Sequence, residues 1–264
     1  MTKYDHYKTI KFSLKDRIIT ATLNHPETLN SFSEEMEYEF AQFLIDGARD
    51  KDFDIVVLTG AGKAFSAGGD IGERMLEYIG QPSRVDHGIA KRLVFALLDF
   101  TKPLIAKLNG HAAGLGATVA LFCDVIFASD KAKIGDPHVK IGLSTGDGAA
   151  IIWPQLIGFA RAREYLMTGK FIPAPRAAEI GLINYSVPLE DLDRVVDEFV
   201  MTLSKGAQMA ISASKVTINL GLKQIAMAVM DAGIAYETIL VGSNDHQEAV
   251  RAFVEKREPK FTGT

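Results

Sequence analysis

The chain has 264 residues, a net charge of −4 and 47% hydrophobic residues, a composition typical of a globular protein large enough for one sizeable domain, alone or with an appendage. The slightly acidic balance, without any run of Lys or Arg, argues against a nucleic-acid-binding protein. The single cysteine, Cys123, excludes an intrachain disulfide and is expected to be a buried apolar side chain. The polar residues 1–11 carry no secretory signal, and no uninterrupted apolar run approaches the roughly 18 residues of a membrane span. We therefore expect a cytoplasmic protein with no membrane partner.

The first part of the chain alternates strand-like and helix-like segments. A β-rich pair at its start is separated by only four residues, which predicts a hairpin. Ser33 followed by two glutamates marks the start of an amphipathic helix. Two later runs are apolar throughout, as is typical of buried strands. The predicted elements are strands at 7–12, 17–23, 54–59 and 103–108 and helices at 33–49 and 85–100, with weak patterning at 71–83.

The second part changes from mixed elements to helices alone. Asn244, with Gln247 three residues later, is expected to cap the last helix. The pattern predicts a strand–helix core with the active site at residues 1–198, followed by a helical region at 199–264. The predicted elements are strands at 124–128, 132–134 and 183–187 and helices at 116–122, 149–157, 161–168, 173–181, 190–204, 207–222, 225–241 and 245–256.

Two glycine-rich segments each follow a predicted buried strand. The first, residues 60–70, contains four glycines, and the second, residues 109–118, opens a helix. Backbone in such segments can approach a ligand closely, and the free N–H groups at a helix start can hold a developing anion. The glycine spacing of the first segment matches neither a dinucleotide-binding fingerprint nor a P-loop.

A titratable pair follows the second glycine-rich segment. His138 comes directly after a proline, and Asp147 lies between two glycines. Histidine titrates near neutral pH and can act as acid or base, and a nearby carboxylate can orient it and raise its pKa. Donors for an anion together with a titratable pair predict an active site. His111 is expected to be structural, and no histidine spacing suits a metal, so we expect no metal site.

Five short motifs occur in an order and spacing that resemble the enoyl-CoA hydratase/isomerase (crotonase) family, and the resemblance covers essentially the whole chain. It implies an α/β fold, namely a crotonase-like spiral of ββα units with a C-terminal helical trimerisation region, and a homotrimer or homohexamer. It also implies a small-molecule acyl-CoA substrate and no cofactor beyond the coenzyme A that the substrate carries. The motifs are residues 24–31, 64–71, 103–110, 123–125 and 252–257.

The same resemblance assigns binding residues. The backbone N–H groups of Gly69 and Leu115 would form an oxyanion hole that holds the thioester oxygen as it becomes an enolate. Lys256 and Lys260 would contact phosphates of coenzyme A, and a solvated charged tail is the alternative for these two lysines. The other residues that the resemblance assigns to coenzyme A binding are Ala64, Phe65, Ala67 and Gly68.

The chain departs from the hydratases of this family at both catalytic positions. Those enzymes have two glutamates where Thr118 and His138 stand here. Hydration needs an acid and a base, and a threonine hydroxyl has no useful pKa, so hydration by two glutamates is not expected. Residues 136–154 instead resemble the 6-oxocamphor hydrolase group of the family, which cleaves a carbon–carbon bond of a cyclic β-diketone by a retro-Claisen reaction. The catalytic His and Asp of that group fall on His138 and Asp147, while a further catalytic His of the group has no match.

Three functions remain open. The first is an acyl-CoA enzyme of the enoyl-CoA hydratase/isomerase type, in which His138 and Asp147 transfer protons or activate water. Its outcome is hydration, isomerisation or hydrolysis of a carbon–carbon bond beside a β-carbonyl. The second is a hydrolase of β-diketones that does not use coenzyme A, and the third is a catalytically idle binding protein. The turn at 67–70 and the basic C-terminal residues favour the first function.

Overall fold

The computed structural model describes residues 2–70 and 88–264, and its centre is a six-stranded sheet. The strand order is β1-β2-β3-β4-β6-β9. The first two strands form the predicted antiparallel hairpin, and every other neighbouring pair is parallel. The strands are β1 (Ile10–Lys15), β2 (Ile18–Leu23), β3 (Ile55–Gly60), β4 (Leu104–Leu108), β6 (Val125–Ser129) and β9 (Tyr185–Val187).

A second, three-stranded sheet joins the parts of the chain that carry the predicted site. It consists of β5 (Ala112–Ala113), β7 (Lys133–Gly135) and β8 (Ile172–Pro173), in the order β5-β7-β8. β5 and β7 are parallel, with Ala113 opposite Gly135. This pairing brings the end of the second glycine-rich segment beside the start of the segment that contains His138.

Helices cover both faces of the large sheet. β3 is buried along its whole length, because the main core lies on one face and the helix Leu189–Ser204 packs on the other, against Ile55, Val57 and Phe127. This two-sided burial explains why β3 and β4 are apolar without alternation. The helices are α1 (Glu34–Gly47), α2 (Gly88–Asp99), α3 (Gly114–Leu121), α4 (Ala149–Thr168), α5 (Ala174–Glu179), α6 (Leu189–Ser204), α7 (Gln208–Val241) and α8 (Asn244–Val254), with short 3-10 helices at Pro26–Thr28 and His138–Ile141.

Several predicted boundaries are confirmed and others are wrong. Ser33 caps α1 as predicted, since its side chain accepts a hydrogen bond from the Met36 N–H. The cap of α8 is Ser243 and not Asn244, because the Ser243 hydroxyl accepts from the His246 N–H at 3.1 Å. The predicted helices at 207–222 and 225–241 are one helix, α7, since residues 223 and 224 contain no helix breaker. The predicted segment 71–83 and residues 85–87 lie outside the described residues.

The two helices predicted at 149–157 and 161–168 lie end to end in α4. The backbone departs from helical geometry at Gly158, where φ is +76° and ψ is 158°. Only glycine adopts this conformation readily, because a Cβ atom would clash with the backbone. Gly158 therefore sets the change of direction within α4.

α7 is 34 residues long and apolar enough, by length and composition, to cross a membrane. No uninterrupted apolar run in the sequence marks this helix, because polar residues interrupt it throughout. One face of α7 is attached to the core, where Ala226 and Met230 are fully buried. Lys215 pairs with Asp124 at 2.7 Å, and its ammonium also donates to the Lys102 carbonyl. These contacts fix α7 against the α/β core and leave its other face exposed.

Alanine at position 158 is expected to lower the free energy of unfolding by about 1–3 kcal/mol, because the side chain makes the local backbone conformation strained. The matched control is Gly221→Ala within α7, where an added Cβ meets nothing within 4 Å. This control is expected to raise the free energy of unfolding by about 0.5–1 kcal/mol. Urea unfolding followed by circular dichroism measures both. Shifts of the same sign would contradict the backbone described at Gly158.

Candidate active site

The two glycine-rich segments lie side by side. Ser66 and Ala112 form a parallel bridge, and the Ala113 N–H donates to the Ser66 carbonyl at 3.0 Å. Gly68 has a φ of +100°, and a Cβ there would lie 2.9 Å from the Ala113 carbonyl oxygen. The close approach of the two segments therefore requires glycine at position 68.

The two predicted oxyanion donors lie on either side of this contact. Leu115 is in the first turn of α3, where backbone N–H groups have no partner within the helix. Among residues 2–70 and 88–264, the N–H groups of Gly69 and Leu115 have no hydrogen-bond acceptor. A Cβ at Gly114 would lie 3.5 Å from His138 Cε1 and 3.8 Å from Gly68 Cα. The start of α3 thus lies between the first glycine-rich segment and the imidazole of His138.

The imidazole of His138 lies between two carboxylates. Its Nδ1 hydrogen-bonds to Oδ1 of Asp136, a residue that is only 1% exposed, and the same oxygen accepts the His138 backbone N–H at 3.2 Å. On the other side of the ring, Nε2 lies 3.7 Å from Oδ2 of Asp147. Because a carboxylate accepts at Nδ1, that nitrogen carries a proton, and Nε2 is the atom directed to Asp147. The structure therefore brings His138 and Asp147 together, as predicted, and places Asp136 on the other side of the imidazole.

Asp147 has one supported oxygen and one free oxygen. Its Oδ1 accepts from the Thr118 hydroxyl and from the Ala149 N–H, both at 3.4 Å. Its Oδ2 is buried and has no hydrogen-bond partner in the described part of the chain. Thr118 thus holds Asp147 in place. The free Oδ2 and the His138 Nε2 are left to act on a bound molecule.

The buried charges shift both pKa values upward. Burial by itself lowers the pKa of His138, but the charges of Asp136 and Asp147 outweigh it and hold that pKa well above the ordinary value. Burial is the main cause that raises the pKa of Asp147, the positive charge of His138 opposes it, and Asp136 adds to it. Because the two groups face each other, their titrations depend on one another and the pair can share a proton.

A third carboxylate, Glu237, was missed by the sequence analysis. It lies on α7 and is 7% exposed, and a Cβ added at Gly146 would collide with its carboxylate. Burial raises its pKa to about 7, the charge of His138 opposes this, and Asp147 and Asp136 contribute to it. The sequence feature that could have identified it is a single glutamate within the mostly apolar residues 232–241. A glutamate in such a segment is expected to be buried only where it has a partner or a function.

The ligand atoms of Asp136, His138 and Asp147 lie within 4.8 Å of one another, which is close enough to hold a metal ion. Each ring nitrogen faces a different carboxylate, however, and Nδ1 is already bonded to Asp136. A cation held by all three residues would compete with the hydrogen bond between Nδ1 and Oδ1 of Asp136. This arrangement suits proton transfer better than metal binding.

The remaining predicted residues fall into two groups. The turn with Ala64 and Phe65 is buried and close to Gly68, and the Ala64 carbonyl accepts from the amides of Asn30 and Asn109. Lys256 and Lys260 are exposed beyond α8, and no hydrogen bond or ion pair within the described ranges joins their side chains to residues 64–68. Ala67 and Gly68 lie at the contact between the glycine-rich segments. Coenzyme A binding by these residues remains a prediction.

His111 holds the scaffold together, as predicted. Its Nδ1 accepts the Lys133 N–H at 3.0 Å, and its carbonyl accepts the N–H groups of Phe65 and Ser66. Cys123 is buried as expected, and burial raises the pKa of its thiol, which makes the thiol unreactive.

Comparisons with known proteins agree with this architecture. The sequence profile described as enoyl-CoA hydratase/isomerase matches residues 13–264. The 1,2-epoxyphenylacetyl-CoA isomerase of Escherichia coli K12 is 33% identical over 93% of this chain and 95% of its own. An enoyl-CoA hydratase crystal structure from Mycobacterium avium subsp. paratuberculosis is 28% identical, covers 97% of this chain and 99% of its own, and has a TM-score of 0.86. The β-diketone hydrolase ABDH from Anabaena, solved with (S)-3-oxocyclohexyl acetic acid, is 28% identical over 92% of this chain and 98% of its own, with a TM-score of 0.84.

The raised pKa of Glu237 predicts a pH-dependent stability that Glu237→Gln removes. Folded protein binds a proton at Glu237 between its ordinary pKa of 4.5 and about 7, so stability falls as pH rises through this window. The difference corresponds to about 3 kcal/mol. Relative to the unchanged protein, the Gln variant is therefore expected to gain stability as pH rises from 4.5 to 7. Urea unfolding across this range tests it, and a difference that stays constant with pH would be the contrary result.

Proposed function

Because the chain belongs to the enoyl-CoA hydratase/isomerase family, we propose that it stabilises the enolate of a thioester and uses water to cleave the adjacent carbon–carbon bond of a β-oxo acyl-CoA. The observation that carries this proposal is the buried Asp136–His138–Asp147 arrangement, in place of the two glutamates of the hydratases. We also propose that the reaction needs no cofactor beyond the coenzyme A of the substrate.

The oxyanion site is proposed to consist of the N–H groups of Gly69 and Leu115. In a β-oxo acyl-CoA, the electron pair released by cleavage of the Cα–Cβ bond moves onto the thioester oxygen and forms an enolate. A single positioned donor to such an oxygen contributes a few kcal/mol of transition-state stabilisation. The free N–H groups beside the imidazole support this placement.

His138 and Asp147 are proposed to move the protons of the reaction as a pair. Water forms a bond to the β-carbonyl carbon and gives one proton to the pair. The Cα–Cβ bond then breaks, the β-carbonyl fragment leaves as a carboxylic acid, and a proton passes from the pair to the α-carbon of the enolate. Asp136 keeps the imidazole oriented, since it holds Nδ1 and leaves Nε2 free for the reacting atoms.

Thr118 supports hydrolysis over hydration. A hydratase needs separate acid and base groups. Here the side chain at position 118 is a threonine that hydrogen-bonds to Asp147, so it cannot supply a second carboxylate. The likeness to ABDH, described as a β-diketone hydrolase, supports the same choice. It also keeps the cleavage of a β-diketone without coenzyme A as an alternative.

Enoyl-CoA hydration or isomerisation is the second candidate. The observation that favours it is Glu237, a buried carboxyl group with a pKa of about 7, which can supply the acid that Thr118 cannot. The relatives named as enoyl-CoA hydratases and isomerases support it as well.

Binding of acetoacetyl-CoA tests the site, and products of a substrate panel test the reaction. We expect calorimetric binding in the micromolar range and cleavage of β-oxo acyl-CoA thioesters, detected by mass spectrometry. Asp147→Asn and His138→Gln are each expected to reduce kcat by about 100-fold or more, because proton transfer by a positioned group contributes this much. The control is Asp197→Asn, an exposed aspartate on α6, which should leave kcat unchanged.

Three outcomes would redirect the proposal. Cleavage of free β-diketones without binding of acetoacetyl-CoA would establish the alternative hydrolase. Conversion of crotonyl-CoA without C–C cleavage would establish the second candidate. Acyl-CoA left unchanged across the whole panel would support a catalytically idle protein.

The helical region at 199–264 is proposed to form a homotrimer or a homohexamer. Its support is the outer face of α7, where large apolar side chains are exposed, and such patches mark interfaces. Those that are more than half exposed on this helix are Met209, Ile218, Leu220, Met227, Tyr236 and Ile239.

Sedimentation velocity is expected to give three or six chains for the unchanged protein. Combined Ile218→Asp and Ile239→Asp substitutions should shift the distribution to smaller species, because they place charges in an apolar interface. Lys170→Asp, at an exposed position outside residues 199–264, is the control. A monomer for the unchanged protein would refute this assembly.

A further inference from the structure

The position of the short 3-10 helix that carries His138 depends on contacts with residues outside that helix. His138–Ile141 is a single 3-10 turn without a buried residue. Hydrogen-bond geometry in such turns is poorer than in α-helices, so isolated turns are weakly determined. The Asp136 carboxylate holds its first residue, and the His138 carbonyl accepts from the Leu143 N–H at 3.0 Å. The last residue, Ile141, needs a separate partner.

That partner is His246, at the start of α8 and 105 positions further along the chain. Its Nδ1 lies 2.7 Å from the Ile141 carbonyl oxygen, and the residue is 1% exposed. A carbonyl oxygen only accepts, so Nδ1 carries the proton and donates it. Burial lowers the pKa of His246, and the hydrogen bond to Ile141 opposes this only in part, which favours the neutral imidazole.

The backbone around this contact is tightly packed. Gly142, directly after the 3-10 turn, has a φ of +70°, and a Cβ there would lie 2.8 Å from the His246 backbone nitrogen. The His246 N–H is itself taken by the Ser243 hydroxyl that caps α8. The ring and the backbone of His246 are therefore both fixed, and a change at this residue is transmitted to the turn that carries His138.

The C-terminal tail holds the same end of α8. Asp245 accepts the N–H groups of Thr262 and Gly263 at 2.6 and 2.9 Å, and its own N–H donates to the Thr264 carbonyl at 3.1 Å. The tail thus binds the first turn of α8 from outside, while His246 extends inward from the same turn.

We infer that His246 is a positioning residue for His138, and that the C-terminal tail at 262–264 supports it by fixing the first turn of α8. This inference rests on the proposed function for the role of His138 in catalysis. His246 touches neither the carboxylates nor the oxyanion donors in the described contacts, so its effect passes through Ile141 and the 3-10 turn. An error of about 1 Å in the placement of a catalytic group can cost 100-fold in rate.

The test compares His246→Leu, which removes the donor, with His246→Asn, whose amide can donate near the position of Nδ1. The first readout is the NMR signal of the His138 Nδ1 proton, which is assigned by its loss in His138→Gln. Leu is expected to shift or broaden this signal, because Asp136, Asp147 and Glu237 then face a displaced ring, and Asn is expected to restore it. An unchanged signal in the Leu variant would overturn the inference.

The second readout is the rate of cleavage of the β-oxo acyl-CoA that the unchanged protein turns over fastest. Leu is expected to lower kcat about tenfold or more with KM changed less than about threefold, and Asn to recover most of the loss. Equal losses in Leu and Asn would assign the effect to packing and refute a role for the hydrogen bond. If the Leu variant fails to fold, a chain ending at Phe261 keeps His246 and lacks the tail. A wild-type signal and kcat in that chain would overturn the role of the tail.

The two proposals fail differently. If His138→Gln retains full activity, the proposed function is wrong, and the NMR signal still reports on His246. If His138→Gln is inactive and the His246→Leu signal is unchanged, only the positioning role is wrong.

Discussion

The burial of one imidazole between two carboxylates is the constraint on which the rest of the site depends. Removing charges from water costs several kcal/mol for each ion, and the cost is recovered only where partners and hydrogen bonds surround them. Asp136, at 1% exposure, has His138 on its Oδ1, while its Oδ2 has no hydrogen-bond partner among the described residues. Asp147 has Thr118 and the Ala149 N–H on one oxygen only. Of these two unpartnered oxygens, Oδ2 of Asp147 is the one that lies 3.7 Å from Nε2 of His138.

The fold supplies these partners from distant parts of the chain. The small sheet places β5 beside β7, so that α3 with Thr118 starts next to the segment that contains Asp136 and His138. α7 places Glu237 against Gly146, next to Asp147 in the chain, and α8 places His246 against Ile141. The helical C-terminal region therefore contributes to the interior of the site and also presents an exposed apolar face.

The resemblance to the hydratases implies that Thr118 and His138 stand where those enzymes have two glutamates, and this difference bears on the chemistry proposed for the site. A glutamate keeps its proton at neutral pH only when burial raises its pKa, whereas the pKa of His138 is held well above its ordinary value by Asp136 and Asp147. The glycine-rich segments on which the oxyanion site is proposed to depend keep their close approach. The proposed enolate stabilisation thus depends on these two segments, and the proposed proton transfer depends on His138 and Asp147.

Local pattern alone determined much of this protein. The hairpin, the buried strands β3 and β4, the Ser33 cap and the glycine-rich segments were predicted from spacing and composition, because each depends on residues close together in the chain. The same holds for His138 and Asp147, which lie nine residues apart. Only the tertiary structure placed Glu237 near them and His246 against Ile141 in the turn that carries His138, about 90 to 108 residues later in the chain. The periodicity of a helix does not predict which loop its buried face will contact. That contact depends on how the whole hydrophobic core packs.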